Sequence, residues 1–344
     1  MTTEEAKVLI YKLKNENLLK SSNYLYRKES IQSKLIYGSK GEIKDALVTI
    51  IIPAYRRPDL FERALKSALN QEGDVLYKIL ITDDSEELAC QNEEIVKRIG
   101  DNRVIYYKND KALGWYNWNR LLELADTPWV CMLHDDDILY KKHILFMTEL
   151  LSKCNHPAML TCNRLFFKSD EAVLSMNEGN INDINPKELK LKHINFQFAS
   201  FMLGAFINRE KAIEIGGFND GIISLDYEFI ARMLVAGKVY VNPLYTYGYG
   251  VKNNESTKSD MWEKMLISEY YICRSICNYR SIFLRGIAKK VEDYSMANHI
   301  QDMSSPANNI YGVELDSNRV YEWLGIKKGI EDKILLRLFR KLLT

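Results

Sequence analysis

Trp129-Val130-Cys131-Met132-Leu133-His134-Asp135-Asp136-Asp137 is the stretch on which the fold turns. Its apolar run reads as a strand buried on both faces, the usual state of a strand in a parallel sheet. The three carboxylates then fall at its C-terminal end, where open α/β sheets hold their ligands. Adjacent carboxylates repel one another unless a cation or hydrogen-bond donors offset the charge. A divalent metal that clamps phosphate oxygens meets that need. A solvated acidic turn capping the next helix is the plainer alternative.

Working outward, Leu47–Ile52 reads as a strand stopped by Pro53. A helix follows from Asp59, with Glu62 three residues on completing a capping box, and ends near Gly73. A second strand, Tyr77–Thr82, runs into Asp83-Asp84-Ser85, and the helix after it stops at Gly100. A third strand covers Arg103–Tyr107, and a helix over 115–124 leads into the acid-bearing strand. Strands alternating with helices over short connections imply an α/β fold, a mainly parallel sheet flanked by helices. Residues 1–46 carry apolar residues at helical spacing (Val8, Leu9, Leu13, Leu18, Leu19) and read as a helical extension. Residues 47–255 form the α/β domain and 256–344 a helical C-terminal region. The first strand runs into Pro53-Ala54-Tyr55-Arg56-Arg57-Pro58. Neither G-x-G-x-x-G nor G-x-x-x-x-G-K-[ST] stands there, so phosphates would need another holder.

Composition narrows the classes. The 344 residues hold 47 Lys and Arg against 46 Asp and Glu, which argues against a dedicated nucleic-acid binder. The six cysteines (Cys90, Cys131, Cys154, Cys162, Cys273, Cys277) form no C-x-x-C pair and read as buried free thiols of a reducing compartment. Met1-Thr2-Thr3-Glu4-Glu5 lacks the apolar core of a signal peptide, and no window of about twenty residues is apolar enough to span a bilayer. A cytoplasmic location is therefore expected. The end of the chain, from Lys327 through Leu343, is basic and rich in Leu and Ile. Such a helix either lies in an anionic membrane interface, giving peripheral contact, or packs on the protein. Trp115, Trp118 and Trp129 are sugar platforms or core aromatics.

The ordered motifs resemble the inverting family-2 glycosyltransferases of GT-A fold. Val48-Thr49-Ile50-Ile51-Ile52-Pro53-Ala54-Tyr55 is similar to that family's opening strand, and Leu65-Lys66-Ser67-Ala68-Leu69-Asn70-Gln71 to the helix after it. Ile81-Thr82-Asp83-Asp84-Ser85 resembles its Asp-Asp-x-Ser segment, and Asn109, Gly114 and Asn119 the stretch before the acid-bearing strand. His134-Asp135-Asp136-Asp137 stands in the place of its DXD motif. Gly216-Gly217-Phe218 and Leu225-Asp226-Tyr227-Glu228 resemble the acceptor-side and catalytic-base motifs. The likeness runs from Leu47 to about Asn254.

The resemblance implies a nucleoside-diphosphate sugar donor held by Pro53, Ala54, Tyr55, Asp83, Asp84, Asn109, Gly114, Asn119 and Asp135. It implies Mg²⁺ or Mn²⁺ on Asp136 and Asp137, and Asp226 rather than Glu228 as general base. The acceptor would be a saccharide or a lipid-linked saccharide of bacterial surface-polysaccharide assembly. Two motifs depart from the family pattern. His134 stands where the first Asp of the motif is usual, and Gly248 and Gly250 stand where many relatives carry Arg and His. These departures keep a rival open: a catalytically silent GT-A-like protein that only binds nucleotide or saccharide. A phosphohydrolase is a further rival, but its nucleophilic Asp belongs after the first strand, which here ends in Pro53.

Overall fold

The computed structural model describes residues 1–20, 22–86, 89–167, 179–194, 202–251, 259–279 and 281–327. Its centre is a run of parallel strands: β1 (Ser33–Tyr37) lies outermost and antiparallel to β4 (Val104–Asn109), followed by β3 (Tyr77–Asp83), β2 (Val48–Ala54) and β5 (Trp129–Met132). Beyond β5 the sheet is mixed. β6 (Ile138–Leu139), β7 (Pro157–Phe167), β8 (Lys187–Leu189), β9 (Phe206–Asn208) and β10 (Lys238–Gly250) complete it. β9 runs antiparallel between β5 and β7, and β10 lies parallel to β7 and antiparallel to β6 and β8.

The strands alternate faces as a pleated chain must. Ile50 and Ile52 of β2 pack with Phe61, Ala64 and Leu65 of α2 (Pro58–Leu69), Val96 of α3 (Ala89–Ile99) and Met147 of α5 (His143–Lys153). Ile51 faces the other way, into a core shared with Leu121 of α4 (Asn117–Leu124) and Phe229 of α8 (Leu225–Ala236). All three isoleucines are fully buried, each contributing about 1.5–3 kcal/mol of apolar burial. The second core also takes in both ends of the chain: Ala6 and Leu13 of α1 (Thr3–Asn15), Ile267 of α9 (Ser259–Cys277), Ile300 of α10 (Ile282–Tyr311) and Val320 of α11 (Ser317–Leu324). The short helices α6 (Leu191–Ile194) and α7 (Arg209–Glu214) fill the connections around β9.

Several local expectations change. The N-terminal extension is not wholly helical: β1 adds an edge strand to the sheet, paired with β4. Pro53 does not stop β2, because the ladder to β5 has already ended at Ile51, while Pro53 and Ala54 still pair with Thr82 and Asp83 of β3. Helix α2 starts at Pro58, which suits its fixed φ, and no side chain caps it, so the Asp59–Glu62 capping box does not form. Glu62 instead pairs with Lys66 and Arg98. The five cysteines with described side chains are free thiols, and Cys154 is half-buried. Trp118 and Trp129 are core residues, whereas Trp115 is 38 % exposed. Among the described residues no helix is long and apolar enough to cross a membrane. The basic, apolar stretch 328–344 lies outside them.

Candidate active site

β5 ends at Met132, and the chain turns back at once into β6, with a hydrogen bond from Asp137 N to His134 O at 3.2 Å. The three carboxylates lie in this turn, each at most 3 % exposed. They point to different partners. Asp135 Oδ2 accepts from the Tyr55 amide at 2.9 Å and Oδ1 from Arg57 Nη2 at 2.6 Å. Asp136 Oδ2 accepts from Arg57 Nη1 at 2.6 Å, and its carbonyl from Arg63 Nη2 at 2.6 Å. Asp137 accepts from the Tyr247 hydroxyl at 2.6 Å and the Gly250 amide at 2.7 Å. Burial pushes the Asp135 carboxyl up to about 7; Arg57 opposes the shift and Asp136 adds to it. Burial and then Asp136 push Asp137 well above the ordinary carboxylate range. A cation added here would favour all three ionised forms.

The residues fit a divalent metal. Ligand atoms of His134, Asp136 and Asp137 lie within 4.8 Å of one another. His134 Nε2 is buried and has no hydrogen-bond partner. Burial pushes the His134 pKa down, so the ring is neutral and a lone pair is available. The two carboxylates suit a hard ion such as Mg²⁺ or Mn²⁺. Asp136 and Asp137 thus fall together as expected. His134, the residue in the first Asp position of the motif, joins them, while Asp135 turns toward the end of β2.

The two glycines of β10 explain how the loop is closed. A Cβ on Gly250 would be driven into the carbonyl oxygen of Asp136, and one on Gly248 into the Ile138 side chain. Backbone therefore lies directly against the acidic turn at both positions, and Gly250 contributes its amide. Gly250→Ala is expected to push the turn out of register. Overpacking of this kind costs about 1–3 kcal/mol, seen as a lowered melting midpoint together with weakened Mn²⁺ binding.

His143 anchors the same region from behind. It opens α5, is fully buried, and its Nδ1 lies 2.9 Å from Thr246 Oγ1 on β10. Burial pushes its pKa from 6.5 to about 4. The folded chain then binds fewer protons than the unfolded chain below pH 6.5. This contribution is complete above pH 6.5 and is lost as pH falls toward 4, by about 3 kcal/mol in all. Denaturant midpoints should decline across that window, and His143→Gln should flatten the decline.

The ends of β2, β3 and β4 gather the expected nucleotide residues. Asp83 is sealed: it accepts from the Ser85 amide at 2.7 Å, Asn92 at 3.1 Å and the Tyr106 hydroxyl at 2.5 Å. Asp84 accepts from Asn109 at 2.7 Å and from the amides of Leu113 and Gly114 at 3.0 and 2.9 Å. Burial raises the Asp84 pKa against these donors. Pro53, Ala54, Tyr55, Asp84, Asn109, Gly114 and Asp135 thus gather at one edge of the sheet, the carboxylates buried and the Tyr55 side chain exposed. Asn119 stands elsewhere: its amide group holds Phe218 N and O at 2.7 and 2.8 Å.

That grip leads to the far wall. Gly217 has φ +75°, and a Cβ there would strike Asn119 Oδ1, so only glycine lets the turn into Phe218 close. Arg232 supports the same turn, donating to Ile215 O and Gly217 O at 2.7 Å each. Glu228, fully buried, spends both oxygens on Arg232 at 2.7 and 2.8 Å. Glu228 is a strut of the fold. Asp226 differs. It lies in the first turn of α8, where a helix favours negative charge, is half-buried, and its charge acts on both His134 and Glu269 of α9. Trp118 sits between the two walls, its ring 5.1 Å from His134 and 5.2 Å from Phe218.

Comparisons with known proteins agree with this geometry. Residues 49–215 match the family model "Glycosyl transferase family 2". An uncharacterized glycosyltransferase of Mycoplasma genitalium, MG060, is 28% identical over 120 residues, which cover 33% of this chain and 40% of that protein. An uncharacterized protein of Mycobacterium tuberculosis, MT1568, is 23% identical over 211 residues, covering 57% of this chain and 65% of that one. The chain thus spans less than two thirds of either curated relative. Among solved structures, S. aureus TarS 1-349 in complex with UDP-GlcNAc aligns with a TM-score of 0.55 at 13% identity, over 81% of this chain and 78% of that one. The mannosyltransferase PcManGT from Pyrobaculum calidifontis, in complex with GDP-Man and Mn²⁺, aligns with a TM-score of 0.53 at 13% identity, over 99% and 92%. Motifs, strand order and family model meet on the same residues: the fold is that of the GT-A glycosyltransferases, and residues 49–215 within it resemble glycosyl transferase family 2.

Proposed function

We propose that the protein is a metal-dependent inverting glycosyltransferase that moves a sugar from a nucleoside-diphosphate donor to a saccharide or lipid-linked saccharide. The observation that carries this reading is the placement of Asp226. A half-buried carboxylate stands in the first turn of α8, near enough to His134 of the acidic turn for its charge to bear on that ring. An inverting transfer needs one base on the face opposite the leaving group, within reach of the acceptor hydroxyl.

In this account the sheet edge around Tyr55, Asp84, Asn109 and Gly114 receives the nucleoside. His134, Asp136 and Asp137 would hold a divalent metal, Mn²⁺ or Mg²⁺, which would supply positive charge to offset that growing on the departing diphosphate. Asp226 takes the proton of the acceptor hydroxyl as its oxygen bonds to the anomeric carbon. The bond from that carbon to the diphosphate breaks, and its electron pair leaves with the phosphate oxygen. Trp118 and Phe218 keep His134 packed and water out of that wall. Work at the cytoplasmic face of a membrane in surface-polysaccharide assembly suits a basic C-terminal stretch and a lipid-linked acceptor.

The test is a thermal-stability screen of UDP- and GDP-sugars with Mn²⁺ and with EDTA. A ligand at 100 times its Kd stabilises by about 2.7 kcal/mol. One nucleotide-sugar should raise the melting midpoint in Mn²⁺ only. No shift with any of them would remove the donor reading.

A further inference from the structure

Arg57 ties two of the three carboxylates together. Nη2 donates to Asp135 Oδ1 and Nη1 to Asp136 Oδ2, both at 2.6 Å. Asp136 also belongs to the set of three side chains whose ligand atoms converge. One oxygen of a metal-ligating carboxylate is therefore held by a protein cation. The Arg57 side chain is 26 % exposed, so part of it reaches solvent while Asp135 beneath it is buried. It is the N-cap of α2: its carbonyl accepts from Phe61 N at 2.8 Å, but its side chain caps nothing, so the fork can turn without breaking the helix. A guanidinium fork matches two phosphate oxygens as well as it matches two carboxylates. Opposite it, β10 presents Gly248 and Gly250, which bring backbone and no charge.

We propose that Arg57 is an exchangeable cation of the donor site. It neutralises Asp135 and Asp136 until a nucleoside diphosphate arrives, then turns its fork to the phosphates and gives up Asp136 to the divalent ion. Metal and nucleotide then bind with positive coupling, because each removes what opposes the other. By linkage the coupling is reciprocal. The proposal rests on the nucleotide-sugar reading, and it adds an order to it: metal is weakly held until the diphosphate is present.

The experiment measures free Mn²⁺ by electron paramagnetic resonance with the full chain, alone and with UDP or GDP. For wild type, the nucleotide that binds should tighten Mn²⁺ at least about tenfold. Arg57→Met frees Asp136 and should tighten Mn²⁺ in the absence of nucleotide by about tenfold, with a correspondingly smaller gain on adding nucleotide. Arg57→Lys, which keeps the charge but not the fork, should fall between the two and serves if the Met variant does not fold. Folded variants whose nucleotide-free Mn²⁺ affinity equals or falls below wild type overturn the role of Arg57 while leaving the donor reading intact. A wild-type chain that binds neither UDP nor GDP, with or without Mn²⁺, overturns both.

Discussion

Asp226→Asn is expected to lower turnover by about 10²–10⁴-fold, the usual worth of general-base assistance. The amide keeps the size and the helix-start position and cannot accept the acceptor's proton. Donor affinity should change little, because in the proposed reading the phosphates would lie toward Asp135, Asp136 and Asp137 rather than α8. The companion variant Glu228→Gln reports on something else. Glu228 is fully buried against Arg232, which in turn holds Ile215 O and Gly217 O. Removing one partner of such a pair costs about 3–5 kcal/mol. Glu228→Gln should therefore melt early, with per-molecule turnover of the folded fraction largely kept. Steady-state kinetics beside denaturant melts separate the two outcomes. Near-normal turnover in Asp226→Asn would place the base elsewhere.

Asp136→Ala should take transfer to background while the fold persists. The lost ligand removes several kcal/mol of stabilisation from the departing diphosphate, and about 4 kcal/mol is a thousandfold in rate. Asp136 contributes a charge to a buried acidic turn and little packing. Its loss relieves repulsion on Asp135 and Asp137, each pushed up partly by Asp136. Arg57 keeps Asp135 as a partner. The melting midpoint without metal should therefore stay near wild type or rise. A variant that is both inactive and unfolded would show that the carboxylate is a structural element. An active one would remove Asp136 from the metal site.

The parallel half of the fold was legible because β2, β3 and β5 carry consecutive apolar residues (Ile50-Ile51-Ile52, Ile79-Leu80-Ile81, Trp129-Val130-Cys131-Met132) that only a two-sided burial accommodates. The gathering of Asp83, Asp84 and the acidic turn at one edge of the sheet was legible for the same reason, since polar residues at the ends of such strands have one place to go. β1 was not, because Ser33–Tyr37 is short, half-exposed and read like the rest of a Lys- and Tyr-rich segment. Arg57 was missed although it stands three residues past β2; a paired Arg56-Arg57 beside a carboxylate-rich sheet edge is the signal that would have found it. Tyr247 and Gly250 come from β10, more than 100 residues beyond the triplet, and a contact of that separation leaves no local pattern. Asn119 reads as a donor contact and is instead the clamp on Phe218, because nothing in a lone Asn tells whether it faces a ligand or a backbone turn.

The central claim, metal-assisted sugar transfer at the acidic turn with Asp226 as base, is tested most directly by the time course of nucleoside diphosphate release. The assay takes the nucleotide-sugar that best stabilises the protein, with and without an acceptor saccharide, in Mn²⁺ and in EDTA. The account predicts release in step with acceptor consumption, only in Mn²⁺ and only with acceptor present. Release undiminished by EDTA, or equally fast without acceptor, would contradict it.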